Sequence, residues 1–148
     1  LKMRADPDRE VRIRVAYRLD ERELVEMRTD PDYYVRLVVA RRLPPAMLYL
    51  MLHDPDREVR LEVAQRIPEG RLHELIADQD AEVRLAVARR LPNEALGRLA
   101  NDADLRVRFE IASRIALEQL GKFIDDPDEM VRNIAGSRMK GVHHEDQP

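Results

Sequence analysis

Residues 30–44 read Asp30-Pro31-Asp32-Tyr33-Tyr34-Val35-Arg36-Leu37-Val38-Val39-Ala40-Arg41-Arg42-Leu43-Pro44, and the reading of this string decides the fold. Val35, Val39 and Leu43 fall at i, i+4 and i+8, which is one face of an α-helix. Arg36 and Ala40 widen that face. Asp30 reads as an N-cap, with Pro31 at the first helical position and Asp32 in the first turn, where a carboxylate suits the positive end of a helix. Arg42 lies in the last turn, where a cation suits the dipole, and Pro44 stops the helix. Leu48, Met51 and Leu52 then follow at i, i+3 and i+4. They predict a second, shorter element, either two turns of α-helix or a tighter 3-10 helix.

The string recurs along the chain. Asp6, Asp30, Asp54, Asp78, Asp102 and Asp126 stand 24 residues apart, each followed two residues later by a second Asp, from Asp8 to Asp128. Val-Arg follows in all six copies, from Val11-Arg12 to Val131-Arg132, then a small residue: Ala16, Ala40, Ala64, Ala88, Ala112 and Gly136. A helix as short as the second element is not stable alone, because nucleation is costly. Each copy must bury its apolar face on the next, which defines a solenoid. The expected fold is therefore all-α, with residues 1–139 forming six copies, the first and last incomplete, and no β-sheet. Residues 140–148 read as a polar, disordered tail. Met3 aligns with Met27, so the chain begins inside a preceding second element and the reading expects sequence upstream.

Composition narrows the function. The chain has 148 residues, 44% hydrophobic and 37% charged, with a net charge of −3. That balance argues against a dedicated nucleic-acid binder, whose affinity rests on neutralising phosphates. No apolar run approaches the roughly 18 residues of a membrane span. Cysteine is absent, which excludes disulfides, thiolate zinc sites and iron–sulfur clusters within the chain and fits a cytoplasmic protein.

The period, the Asp30 to Pro44 string and the Leu48, Met51, Leu52 stretch resemble the leucine-rich repeat variant proteins, known from nitrogen-fixing bacteria, over residues 1–139. The resemblance implies an α-helix alternating with a 3-10 helix in a right-handed superhelix. Members of that family can carry a cysteine-rich iron–sulfur segment before the repeats; here such a cofactor could lie only in sequence upstream. The string is also similar to HEAT-like repeats, including those of phycobilin lyases, in which an Asp and an Arg six residues later form a ladder between copies. Asp6 with Arg12, and Asp30 with Arg36, have that spacing.

The candidate functional residues are few. The Asp row could be a line of metal-binding or catalytic carboxylates, but residues serving one active site would not recur in every copy; a structural Asp–Arg ladder is expected. The second arginine row, Arg18, Arg42, Arg66, Arg90, Arg114 and Arg138, suits helix-end stabilisation or an acidic partner. His53, His73, His143 and His144 form no catalytic or metal pattern, and no catalytic, metal or cofactor residue is assigned. On the face outside the apolar stripe most residues are charged, yet copy two carries Tyr34 and Val38, with Tyr33 and Tyr17 close by. Tyrosine is a favoured interface anchor. Tyr17, Tyr33, Tyr34 and Val38 are therefore the expected contact for a protein partner. Met130 and Ile134 make a similar apolar break in copy six. The function expected is a non-enzymatic scaffold for protein–protein interaction. The alternative is an accessory repeat domain of an iron–sulfur or cofactor-handling protein.

Overall fold

The computed structural model describes residues 2–145, with side chains over residues 3–141. Its long helices are α1 (Arg9–Ala16), α3 (Tyr33–Arg42), α4 (Arg57–Arg66), α5 (Ala81–Arg90), α6 (Leu105–Arg114) and α7 (Glu129–Glu145). The 3-10 helices are η1 (Lys2–Ala5), η2 (Val25–Thr29), η3 (Pro45–Met51), η4 (Glu69–Leu75), η5 (Asn93–Leu99) and η6 (Leu117–Phe123); a single α-turn, α2 (Glu21–Leu24), precedes η2. No strand occurs among the described residues. None of their helices is long and apolar enough to cross a membrane. The chain divides into two compact units, Leu1–Leu75 and Ile76–Pro148. In the first, α1 packs on η1 and α3, and α3 on η2 and α4. In the second, α5 packs on α6, and α6 on η5 and α7.

The second element is 3-10, and its geometry accounts for the period. Ten residues of α-helix advance about 15 Å at 1.5 Å each. Seven residues of 3-10 helix advance about 14 Å at 2.0 Å each, so the return leg matches the outgoing one with fewer residues. Proline starts it: the carbonyls of Pro44, Pro68 and Pro92 accept the N–H three residues on, from Met47, Arg71 and Ala95, each at 2.9 Å. The first copy has Asp20 at this position. Its side chain caps the Glu23 N–H at 2.9 Å, and the Leu24 N–H reaches the Asp20 carbonyl at 2.8 Å, so the turn there begins as α.

Capping differs from the expectation by two residues. The N-cap is the second Asp: Asp8, Asp32, Asp56, Asp80, Asp104 and Asp128 each have Oδ1 2.8–2.9 Å from the N–H two residues ahead. The first Asp stands outside the helix and accepts the backbone N–H of the second, as Asp30 does from Asp32 at 2.9 Å. Pro31 therefore joins two side-chain turns and does not occupy the first helical position.

The core contains the predicted stripe and, beyond it, Leu37, Val38, Leu85 and Ala86. Val35, Val39, Leu43, Leu48, Val59, Val63, Ile67 and Leu72 are buried in the first unit; Val83, Val87, Leu91, Leu96, Val107, Ile111, Ile115 and Leu120 are buried in the second. The C-terminal expectation needs correction. Where copies two to four place Pro44, Pro68 and Pro92, the chain has Lys140, and α7 runs on to Glu145. Residues 140–145 are helical, and the rest of the expected tail lies outside the described residues.

Candidate functional site

The repeated Asp and Arg residues make a ladder between copies. Arg12 donates Nε to Asp30 Oδ2 (2.8 Å) and Nη2 to Asp30 Oδ1 (3.2 Å), while Nη1 donates to the Asp6 carbonyl of its own copy (2.7 Å). Arg36 repeats this on Asp54 (2.9 and 3.1 Å) and the Asp30 carbonyl (2.8 Å). In the second unit, Arg84 holds Asp102 (2.7 and 3.0 Å) and Arg108 holds Asp126 (2.8 and 3.1 Å). Such bidentate forks are the strong form of the charge-assisted bond. The bond to Asp54 raises the Arg36 guanidinium above its ordinary value against the opposing effect of burial. For Asp126, burial pushes the carboxyl up, but the Arg108 fork and the Asp128 N–H outweigh it and hold the group below its ordinary value.

A second row joins helix ends. Arg42 Nη1 donates to the carbonyls of Ala16 (2.5 Å) and Leu19 (2.9 Å), at the end of the preceding copy's helix. Arg66 does the same to Ala40 and Leu43, Arg114 to Ala88 and Leu91, and Arg138 to Ala112 and Ile115. The target is thus the neighbouring helix and not the arginine's own. Ala16, Ala40, Ala88 and Ala112 lend their carbonyls to this bond and are themselves 0% exposed. The arginines named in these two rows are engaged by the architecture. Among the described residues no buried side-chain nitrogen or oxygen lacks a hydrogen bond, and no cluster of His, Asp or Glu is arranged to hold a metal.

The four residues expected to form a protein contact separate. Tyr17 and Tyr33 are exposed, at 51% and 44%. Tyr34 is half-buried, with its ring edge-on to Tyr33 at 6.2 Å between centroids. Val38 is 0% exposed, which corrects its assignment to the outer face. Lying between α1 and α4, α3 buries Val35 through Ala40 without a break; a helix covered on several sides has no single apolar stripe to read. Axial position separates the tyrosines. Arg9, in the first turn of α1, pairs with Asp32, the N-cap of α3 (3.2 Å), while Arg42 at the end of α3 meets Ala16 at the end of α1. The two helices therefore run parallel and in step. Tyr17 sits at the C-terminal edge and Tyr33 with Tyr34 at the N-terminal edge, about 12 Å apart along the axis. Of the copy-six residues, Met130 is exposed and Ile134 half-buried.

The fourth tyrosine escaped the sequence reading. Tyr49 and Leu50 on η3 are exposed, and the Arg71 guanidinium lies 4.8 Å over the Tyr49 ring. The signal was present in the repeat: Leu50 replaces a charged residue found in the other copies, Glu26, Glu74, Arg98 and Lys122. Reading only the long helices hid it.

Comparison with known proteins agrees with this arrangement. The leucine rich repeat variant family matches at residues 33–56 and 81–104, each one period long. A solved structure described as a leucine-rich repeat variant with a novel repetitive protein structural motif superposes with a TM-score of 0.88 at 40% identity, covering 99% of this chain. This chain spans 64% of that structure's length. No curated protein matches the sequence. In its period and its alternating helices the chain resembles that solved structure, and two of its copies match the leucine rich repeat variant family.

Proposed function

We propose that this chain is a non-enzymatic scaffold that binds a protein partner through Tyr33 and Tyr34 at the N-terminal edge of α3, with Tyr17 as a separate contact at the opposite edge. The observation that carries this is the aromatic pair, with Tyr33 exposed and Tyr34 half-buried beside it. Its counterparts in other copies are Arg9-Glu10, Arg57-Glu58, Ala81-Glu82, Leu105-Arg106 and Glu129-Met130, so only copy two offers two rings there. Most of the repeated carboxylates and guanidinium groups are occupied in holding copies together, which supports a scaffold over an enzyme. The cysteine-free composition accords with a cytoplasmic setting.

The test uses the purified chain as bait, followed by calorimetry with the partner it identifies. An aromatic anchor contributes about 2 kcal/mol, so Tyr33→Ala should weaken binding about 30-fold with an unchanged thermal melt. Unchanged affinity in a natively melting Tyr33→Ala, Tyr34→Ala double variant would remove the site.

A further inference from the structure

Copy two departs from its neighbours on the 3-10 layer as well. Tyr49-Leu50 stands where other copies carry Val25-Glu26, His73-Glu74, Gly97-Arg98 and Gly121-Lys122. The core makes little use of either side chain: Tyr49 is 46% and Leu50 38% exposed, while Leu48 and Met51 on either side turn inward. Both line a groove of about 340 Å³ shared with Arg28, His53 and Pro55.

The groove is lined by charge of both signs. Its two carboxylates are already held, Asp30 by Arg12 and Asp54 by Arg36. Arg28 donates to the Val25 carbonyl (3.0 Å) and has no carboxylate partner among the described residues. His53 is exposed. Arg71, steadied by Glu74 at 3.2 Å, is stacked on Tyr49. The result is an apolar pair with the Arg28 guanidinium in the groove and the Arg71 guanidinium over the Tyr49 ring, on a chain whose net charge is −3.

We propose that this groove docks a short acidic segment of a partner protein, with an apolar side chain of that segment against Tyr49 and Leu50 and its carboxylates on Arg28 and Arg71. The apolar pair supplies an anchor, and the guanidinium groups supply the planar forks that carboxylates prefer. Stacking already restricts Arg71, so little side-chain freedom remains to be lost on binding. The surface lies on η3, apart from the α3 tyrosines, so the two sites can fail independently.

The experiment is fluorescence anisotropy of the full chain with labelled dodecapeptides, each bearing a single Leu flanked by Asp and Glu, beside counterparts with Lys at the acidic positions. The acidic set should bind, and more weakly as salt is raised. Leu50→Glu, which copies the residue type of Glu26 and Glu74, should weaken binding about tenfold or more without moving the melt. Arg28→Glu should do the same, and Tyr33→Ala should leave the affinity unchanged. Absence of binding by the acidic set, equal binding of the Lys set, or unchanged affinity in Leu50→Glu would overturn the proposal. Loss of peptide binding in Tyr33→Ala alone would overturn it too, by moving the site to α3.

Discussion

Replacing Arg108 with Met keeps the aliphatic stem and removes the guanidinium from one rung of the ladder. The Asp126 side chain, 6% exposed, then loses bonds of 2.8 and 3.1 Å and keeps the Asp128 N–H at 2.9 Å. Leaving one member of a buried pair behind costs about 3–5 kcal/mol. The surviving N–H places this case at the low end, about 3 kcal/mol. For a chain of this size that is a fall of about 9 °C in Tm. The pH dependence follows from the direction of the shift. Asp126 is held below the ordinary value of 3.8 in the folded chain, so its contribution is present above that value and is lost as pH falls through the folded one. In the variant, burial still raises the carboxyl and the arginine no longer opposes it, so Asp126 takes up a proton at higher pH and the buried charge disappears. The gap between parent and variant should be widest near pH 7 and close through the carboxylate range. Thermal melts followed by circular dichroism at several pH values measure it, and Arg108→Met, Asp126→Asn should recover much of the loss. A single variant that melts with the parent near pH 7, or a gap insensitive to pH, would refute the reasoning.

Three further outcomes are expected. The Arg106 side chain, with the Arg106 N–H, holds Asp104 down to about 2, so Arg106→Ala should move the Asp104 carboxyl titration toward 3.8, read by carbon NMR; an unmoved titration would mean the pair does not persist in solution. Arg114→Ala strips donors from the carbonyls of Ala88 and Leu91, each 2.6 Å away, and should cost about 1–2 kcal/mol at this half-exposed site, with faster amide exchange at the end of α5; uniform exchange across the second unit would count against a local role. Val38→Ala should cost about 2 kcal/mol through lost burial and the cavity left behind, and a melt identical to the parent would contradict the burial of α3.

The residues that repeat were legible, and those that do not repeat were only partly so. Six copies of Asp and Val-Arg fixed the period, the helix positions and the existence of a ladder, because packing one copy on the next imposes the same demand every time. Spacing could not say which carboxylate an arginine meets: Arg12 lies six residues from Asp6 yet grips Asp30, a choice made by the stacking of copies. Nor could it separate α from 3-10 in the short element, where eight residues satisfy either period. Val38 misled because its counterparts include Arg14, Glu62 and Glu110, which argued for an outer face, whereas α3 is covered on that side too. Tyr17 and Tyr34 were grouped by angular position alone, and the separation along the axis entered only with the paired ends of α1 and α3.

Each ladder arginine seen with both bonds reaches a carboxylate eighteen residues ahead and a carbonyl six residues behind. Those reaches together span one period, so excising or duplicating any whole period rejoins an arginine to the same two kinds of acceptor. A gene encoding such an array can lengthen or shorten by unequal recombination in whole-period steps without inventing a new junction. A slip of one codon leaves the guanidinium facing the wrong side of a turn. Mutational change in chains of this kind should accordingly accumulate in residue type at exposed positions outside the ladder, while insertions and deletions survive almost solely in multiples of the repeat.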